Sequence, residues 1–308
     1  MKIAVIGLGY VGSVFAPCVS SQGLSVVGID SVEEKVNSIN SGFASFYEPG
    51  LNELVAKEVS SSRLSATTNL IDGTKDVQMA FICVGTPNRL DGHLDTTQIF
   101  SISSRLVDNW VHRNDEIVLA IRSTVEPGTC EAVQDSIDQI LETHNSMATV
   151  NVVYCPEFLR EGTAVNDYFN PPYIVLGYSP NTSDKTKTSM ENLFKNINQL
   201  PTTVSIRTAE LIKYISNSWH ALKISFANEI GLICREENII AEEVLNLFCK
   251  DEKLNISTAY LRPGSPYGGS CLPKDLAGLN AIANRNNISV PILHSISKSN
   301  ARAHRRKN

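Results

Sequence analysis

The chain has 308 residues, 42% of them hydrophobic and 19% charged, a globular balance with core material for about two domains. A net charge of −5 with no basic stripe argues against electrostatic binding of nucleic acid. No run approaches the roughly 18 apolar residues of a membrane span, and the apolar start ends at Gly7, too early for a signal-peptide core, so no membrane segment is expected.

Residues 2–6 read as a buried strand, and a helix follows from about Tyr10. Ser25–Ile29 is a second strand ending at Asp30. Gln78–Val84 and Glu116–Ile121 are further apolar strands, each preceded by a helical stretch, and Val150–Tyr154 and Tyr173–Leu176 continue the series. Strands alternating with helices predict right-handed βαβ units and an α/β domain with a doubly wound parallel sheet over 1–203. The character then changes. Arg207–Glu236 has no proline and a single glycine near its end, and reads as one long helix. Its apolar stripe is Ile212, Ile215, Trp219, Leu222, Phe226, Ile230 and Ile233. Shorter helices follow at about 240–249 and 275–285, separated by a Gly/Pro-rich loop at 262–273, and a last helix starts near Pro291. These make a helical domain over 204–308. The seven cysteines are scattered without a CxxC pair, which suits a reducing cytoplasm better than a disulfide scaffold. The six histidines form neither HxH nor HExxH, so no metal site is expected.

Gly7-Leu8-Gly9-Tyr10-Val11-Gly12 is a G-x-G-x-x-G turn between a strand and a helix. Its glycines permit a tight turn and close approach of backbone to a pyrophosphate, which the helix N-terminus then faces. Asp30 ends the next strand 18 residues after Gly12, near the usual offset of about 20 for the carboxylate that binds ribose hydroxyls. A carboxylate there repels a 2′-phosphate, so NAD is favoured over NADP, with FAD as the rival in the same fold. Thr86, after the strand at 78–84, and Thr124, after the strand at 116–121, stand where ligands of such sheets bind, or in ordinary turns.

Cys271 follows two glycines, precedes an expected helix and lies near Lys274. A helix start and a cation both favour thiolate, so it reads equally as a reactive or a structural cysteine. Cys83 and Cys234, inside apolar segments, read as structural. Asp275 is a first-turn carboxylate or a proton acceptor. Lys213, Asn217, His220 and Asn228 share one face of the long helix, either a solvated face or one that hydrogen-bonds a sugar. Glu157, Arg160 and Glu161 follow a strand end, as a site or as a surface loop.

Taken together, GLGYVG at 7–12, CVGTP at 83–87, STVEPGT at 123–129, PEFLREGTA at 156–164, KYISNSWHALKISFANEIG at 213–231 and RPGSPYGGSCLPKD at 262–275 resemble the UDP-glucose/GDP-mannose dehydrogenase family, the nucleotide-sugar 6-dehydrogenases. The stretch around His220 resembles the GDP-mannose branch. Ala259-Tyr260 departs from the tandem tyrosine of that branch, one aromatic contact fewer.

The resemblance implies a Rossmann-type domain followed by a helical dimerisation domain, NAD as cofactor and a homodimer formed through the central helical domain. It implies four-electron oxidation of a nucleotide sugar at C6, most often GDP-mannose, with UDP-glucose or a UDP-N-acetylhexosamine as alternatives. Cys271 would attack the intermediate aldehyde to give a thiohemiacetal, then a thioester that water opens. Lys213 would stabilise the oxyanions, Asn217 would hold substrate or water, and Glu157 or Asp275, with Thr124 placing a water, would move protons. Gly7, Gly9, Tyr10, Val11, Gly12, Asp30, Lys35, Thr86, Thr124, Glu161 and Lys274 would surround NAD. Glu157, Phe158, Leu159, Arg160, Glu161, Lys213, Asn217, His220, Asn228, Tyr260, Arg262, Tyr267 and Gly268 would contact the substrate. It also implies a third, nucleotide-sugar-binding domain that this chain, ending at Asn308, lacks. A catalytically silent NAD-binding or assembly fragment is the reading from another class.

Overall fold

Period-2 alternation sorts the apolar residues of each strand onto two faces, and both faces are buried. In β1 (Lys2–Ile6), Ile3 and Val5 enter one core while Ala4 and Ile6 enter the other. The computed structural model describes residues 1–257, 259–260, 266–268 and 271–305. Their contacts divide the chain into two units, Met1–Tyr214 and Ile215–Asn308.

The first unit carries one eight-stranded sheet. After β1 come β2 (Ser25–Ile29), β3 (Leu64–Thr67), β4 (Met79–Ile82), β5 (Glu116–Ile121), β6 (Thr149–Tyr154), β7 (Ile174–Tyr178) and β8 (Pro201–Ser205), in spatial order β3-β2-β1-β4-β5-β6-β7-β8. The order reverses between β1 and β4, and ligands of doubly wound sheets bind beyond the strand ends at such a point. Helices α1 (Tyr10–Ser20), α2 (Glu33–Asn40), α3 (Leu51–Ser60), α4 (Leu70–Thr74), α5 (Thr97–Trp110), α6 (Thr129–Thr143), α7 (Ala164–Phe169) and α8 (Asp184–Leu193) alternate with the strands. Phe15 and Phe81 anchor one core. Fully buried Trp110 anchors the other, its indole N–H donating to the Thr74 carbonyl at 2.9 Å.

The sheet departs from the all-parallel expectation at β7. This strand meets β6 antiparallel at Tyr154–Gly177, and β8 then runs parallel to β7. The connection from β6 carries the six-residue α7. The chain re-enters the sheet from the end it left. The ten-residue α8 then carries the crossover to the parallel β8. The short edge strands β3 and β8 were not expected from sequence, since their Ser, Thr and Pro content carries no apolar run.

α9 (Ile206–Glu236) starts one residue before the predicted Arg207. Ile206 and Ala209 are buried in the first unit's core, and the fully buried Glu210 caps α6. Gly128, before α6, has φ +99° and no side chain to offer as a cap. The two Glu210 carboxylate oxygens replace it, accepting from the Gly128 and Cys130 amides at 2.6 and 2.8 Å.

In the second unit, α10 (Ala241–Phe248), α11 (Cys271–Arg285) and α12 (Pro291–Arg305) follow. Ile233, Ala283, Val290 and Leu293 form a small core, with Phe226 and Ile230 packed on it. Glu229 caps α12, accepting from Ile292 and Leu293 at 2.8 and 3.0 Å. The predicted stripe of α9 is thus buried towards its two ends, while Ile215, Trp219 and Leu222 are 51%, 41% and 42% exposed, a continuous apolar strip in the single chain. The helix predicted over 275–285 begins earlier, so Cys271 is its first residue rather than a loop residue ahead of it.

Candidate active site

The glycine turn after β1 shows why each small residue is there. Gly7 has φ +94°, and a Cβ on it would lie 2.9 Å from the Cys83 and Val84 backbone. A Cβ on Gly12 would lie 1.9 Å from the Gly7 carbonyl oxygen. Gly9 differs: among the described residues no heavy atom lies within 4 Å of an added Cβ, so packing there does not demand a glycine. Gly9 precedes the first turn of α1, whose free amide N–H groups suit a pyrophosphate. Val11 packs against the core, which leaves its backbone for the ligand.

Beside this turn, Asp30 Oδ2 accepts from the Leu8 amide at 2.7 Å and from Lys35 Nζ at 3.1 Å. Its Oδ1 accepts only the Val32 amide among the described residues, at 3.0 Å, and retains capacity for a ribose hydroxyl. A cavity of about 580 Å³ lined by Gly7, Gly9, Asp30, Lys35, Gly85 and Arg105 lies over the strand ends. These residues fit a dinucleotide. Thr86 donates to the Thr124 carbonyl at 2.8 Å, tying the β4 and β5 exits together. The open space at Gly9 and the closed space at Gly12 separate two effects. Gly9→Ala is expected to keep its melting temperature within about 2 °C while NAD binding weakens about tenfold or more. Gly12→Ala is expected to lower the melting temperature by about 4–8 °C or to prevent folding. Thermal melts and NAD titration check both; equal behaviour of the two variants contradicts the assignment.

The loop after β6 holds a second cluster. Lys213 Nζ donates to the Glu157 carbonyl at 2.6 Å and to Glu157 Oε1 at 2.7 Å, and lies 5.4 Å from the centre of the Phe158 ring. The two side chains are only 6% and 13% exposed. A buried ammonium thus stands against a carboxylate at a strand's C-terminal end. Glu157 Oε2 accepts from the Leu159 amide at 2.7 Å, which fixes the loop. Arg160 places Nε and one terminal nitrogen on Asp167, at 3.0 and 2.6 Å, so much of its guanidinium fork is committed within the protein. Hydrogen bonds from Arg160 hold the Asp167 carboxyl below the usual carboxylate range. The stability from this pair is fully present above the ordinary aspartate pKa and is lost as pH falls through the lower folded value. Glu161 is exposed.

Beyond Tyr214 the predicted residues belong to the second unit. On α9, Lys213 is buried, whereas Asn217, His220 and Asn228 are exposed, so the four do not share one environment. Lys274 and Asp275 face each other at 3.4 Å and are both exposed. Tyr260 is 84% exposed with φ +63°. Tyr267 exchanges two backbone hydrogen bonds with the Asn300 amide, each 2.9 Å, and Gly268 is open. Arg262 lies outside the described residues, as does the Cys271 side chain.

Sequence reasoning missed several supports. Glu48, 4% exposed, takes hydrogen bonds from Tyr10, Gly162 and Ala164. Its only local signal is a charge before Pro49-Gly50. Arg122, 6% exposed, donates to the Cys155 carbonyl and Sγ at 3.2 and 3.3 Å and lies 4.3 Å from the Phe15 ring centre, underpinning the start of the 156–162 loop. Burial pushes the neighbouring Cys83 thiol up to about 12 against the pull of Arg122, in keeping with a structural cysteine.

Known proteins resemble this chain in sequence and in fold. The profile of the UDP-glucose/GDP-mannose dehydrogenase family NAD binding domain matches residues 1–198, and that of the family's central domain matches 207–302. GDP-mannose 6-dehydrogenase of Azotobacter vinelandii is 38% identical over 98% of this chain and 68% of its own length. The UDP-glucose 6-dehydrogenase YwqF of Bacillus subtilis is 36% identical over 97% of this chain and 66% of its own. The crystal structure of a ternary complex of GDP-mannose dehydrogenase from Pseudomonas aeruginosa superposes with a TM-score of 0.93 at 37% identity, over 98% of this chain and 69% of that one. For UDP-glucose dehydrogenase from Pyrobaculum islandicum the TM-score is 0.76 at 30% identity, over 97% and 68%. Matches to both domain profiles in order, on a sheet whose switch point carries the glycine turn and Asp30, place the chain in the UDP-glucose/GDP-mannose dehydrogenase family, as an NAD-dependent nucleotide-sugar dehydrogenase.

Proposed function

We propose that the protein oxidises GDP-mannose at C6 from the alcohol to the acid, through a covalent intermediate on Cys271. The observation that carries the sugar preference is the closer similarity to the Pseudomonas aeruginosa GDP-mannose dehydrogenase, TM-score 0.93, than to the Pyrobaculum islandicum UDP-glucose dehydrogenase, 0.76. NAD, when bound, accepts a hydride in each of two oxidations. Gly7, Gly9, Tyr10, Val11 and Gly12 cradle its pyrophosphate. Asp30 takes a ribose hydroxyl, with Lys35, Thr86, Thr124, Glu161 and Lys274 as further cofactor contacts.

The Cys271 thiolate attacks the C6 aldehyde, forming a C–S bond and an alkoxide whose charge Lys213 balances. After the second oxidation, water adds to the thioester and the thiol leaves, regenerating Cys271. Glu157 or Asp275 takes the proton of that water, positioned by Thr124 and Asn217. Phe158, Leu159, Arg160, His220, Asn228, Tyr260, Arg262, Tyr267 and Gly268 bind the nucleotide sugar. The exposed strip of Ile215, Trp219 and Leu222 supports a homodimer built on α9. Incubation with NAD and each of GDP-mannose, UDP-glucose and a UDP-N-acetylhexosamine, following NADH, tests the substrate. GDP-mannose is expected to give two NADH per sugar; turnover of UDP-glucose without GDP-mannose overturns the choice.

A further inference from the structure

Glu48 stands outside every role assigned above, yet it touches both halves of the first unit's site. It is 4% exposed and lies in the segment between α2 and α3. Its Oε2 accepts the Tyr10 hydroxyl at 2.8 Å and the Gly162 amide at 2.9 Å. Its Oε1 accepts the Ala164 amide at 2.8 Å. Tyr10 is the first residue of α1, directly after Gly9 on the cofactor turn. Gly162 and Ala164 close the loop that carries Glu157, Arg160 and Glu161. The Tyr10 hydroxyl also lies 3.3 Å from the Arg160 carbonyl, and its ring stacks on Phe46 with centroids 5.1 Å apart.

A carboxylate at this depth needs its donors, because each one lost leaves charge uncompensated away from water. One oxygen serves Tyr10 and Gly162 together. Any shift of Tyr10 therefore changes how firmly the Gly162 amide is held. We propose that Glu48 is a positioning residue that transmits cofactor occupancy from the glycine turn to the 157–164 loop, so that NAD binding prepares the loop for the nucleotide sugar. This rests on the reading of 7–12 as the NAD turn and 157–162 as substrate loop. The path is a continuous set of hydrogen bonds and short contacts, from Gly9 and Tyr10 through Glu48 to Gly162 and Ala164. A bound pyrophosphate on the first turn of α1 limits the motion of Tyr10, and the shared oxygen passes that restraint on.

Amide hydrogen exchange of the full chain, with and without saturating NAD, tests the coupling in peptides covering 5–15 and 158–166. In the wild type, NAD is expected to slow exchange in both, by about fivefold in 158–166. Tyr10→Phe keeps the ring stack and Glu48 but removes the hydroxyl that donates to the shared oxygen. With NAD saturating, its 5–15 peptide should remain protected while the NAD effect on 158–166 falls below about twofold. Glu48→Gln separates positioning from mere support. A purely structural Glu48 would raise exchange of 158–166 equally with and without NAD, whereas a transmitting one removes the difference between the two. The proposal is overturned if wild-type 158–166 is indifferent to NAD while 5–15 is protected, or if Tyr10→Phe transmits protection undiminished. No protection of 5–15 in the wild type would overturn the cofactor reading together with the proposal.

Discussion

Replacing Cys271 by serine is expected to abolish formation of the uronic acid, with the rate falling on the order of a thousandfold or more. Serine preserves the size of the side chain but is a far weaker nucleophile at neutral pH than a cysteine thiol, which as a class is more acidic and more nucleophilic than a hydroxyl. Cys271 opens the fifteen-residue α11, and a helix N-terminus favours an anion at that position. The substitution alters nothing in the glycine turn at 7–12, so NAD affinity should stay within about twofold. Product analysis by mass spectrometry with NAD titration checks both parts. Undiminished acid production by Cys271→Ser overturns the covalent route, and a parallel loss of NAD binding shows that the substitution damaged more than the nucleophile.

Lys213→Ala should damage both stability and turnover, for separable reasons. The ammonium is nearly buried and holds both the carboxylate and the carbonyl of Glu157. Its removal leaves a buried carboxylate without its cation, a change that costs about 3–5 kcal/mol. Turnover of the folded fraction should fall about a hundredfold or more, the scale for losing a group that stabilises an oxyanion. The double variant Lys213→Met with Glu157→Gln removes both charges. It should recover most of the stability in urea unfolding while remaining inactive. Recovery of activity in the double variant would show that the pair is a structural ion pair and that the oxyanion is held elsewhere.

The strand, glycine turn and helix at 2–20 were legible because the constraint is local. Three glycines at fixed spacing after an apolar run leave few conformations, and Asp30 ends the adjacent strand. The long helix was legible from its period for the same reason. β3 and β8 were not, since a short edge strand can be polar and still complete a ladder. The reversal at β7 was not legible either, since its residues read as one more apolar strand in either direction. In the site, residue pattern left the face of Lys213 open between solvent and chemistry, and only the family resemblance singled it out. Its burial depends on Glu157, 56 positions earlier. Asn217, one turn further along, faces solvent although its pattern is the same. Glu48 and Glu210 were invisible because a remote carboxylate that caps a helix leaves no mark in the sequence of that helix.

The cap on α6 also has a temporal side. Its donors, Gly128 and Cys130, leave the ribosome some 80 residues before the acceptor, Glu210. Until that acceptor arrives, the Gly128 and Cys130 amides lack their carboxylate, and the sheet face that later receives Ile206 and Ala209 is uncovered. The last elements of the first unit to be synthesised are thus the ones that seal it. A nascent chain halted between β8 and Glu210 would carry all eight strands and still lack the contact that closes their fold.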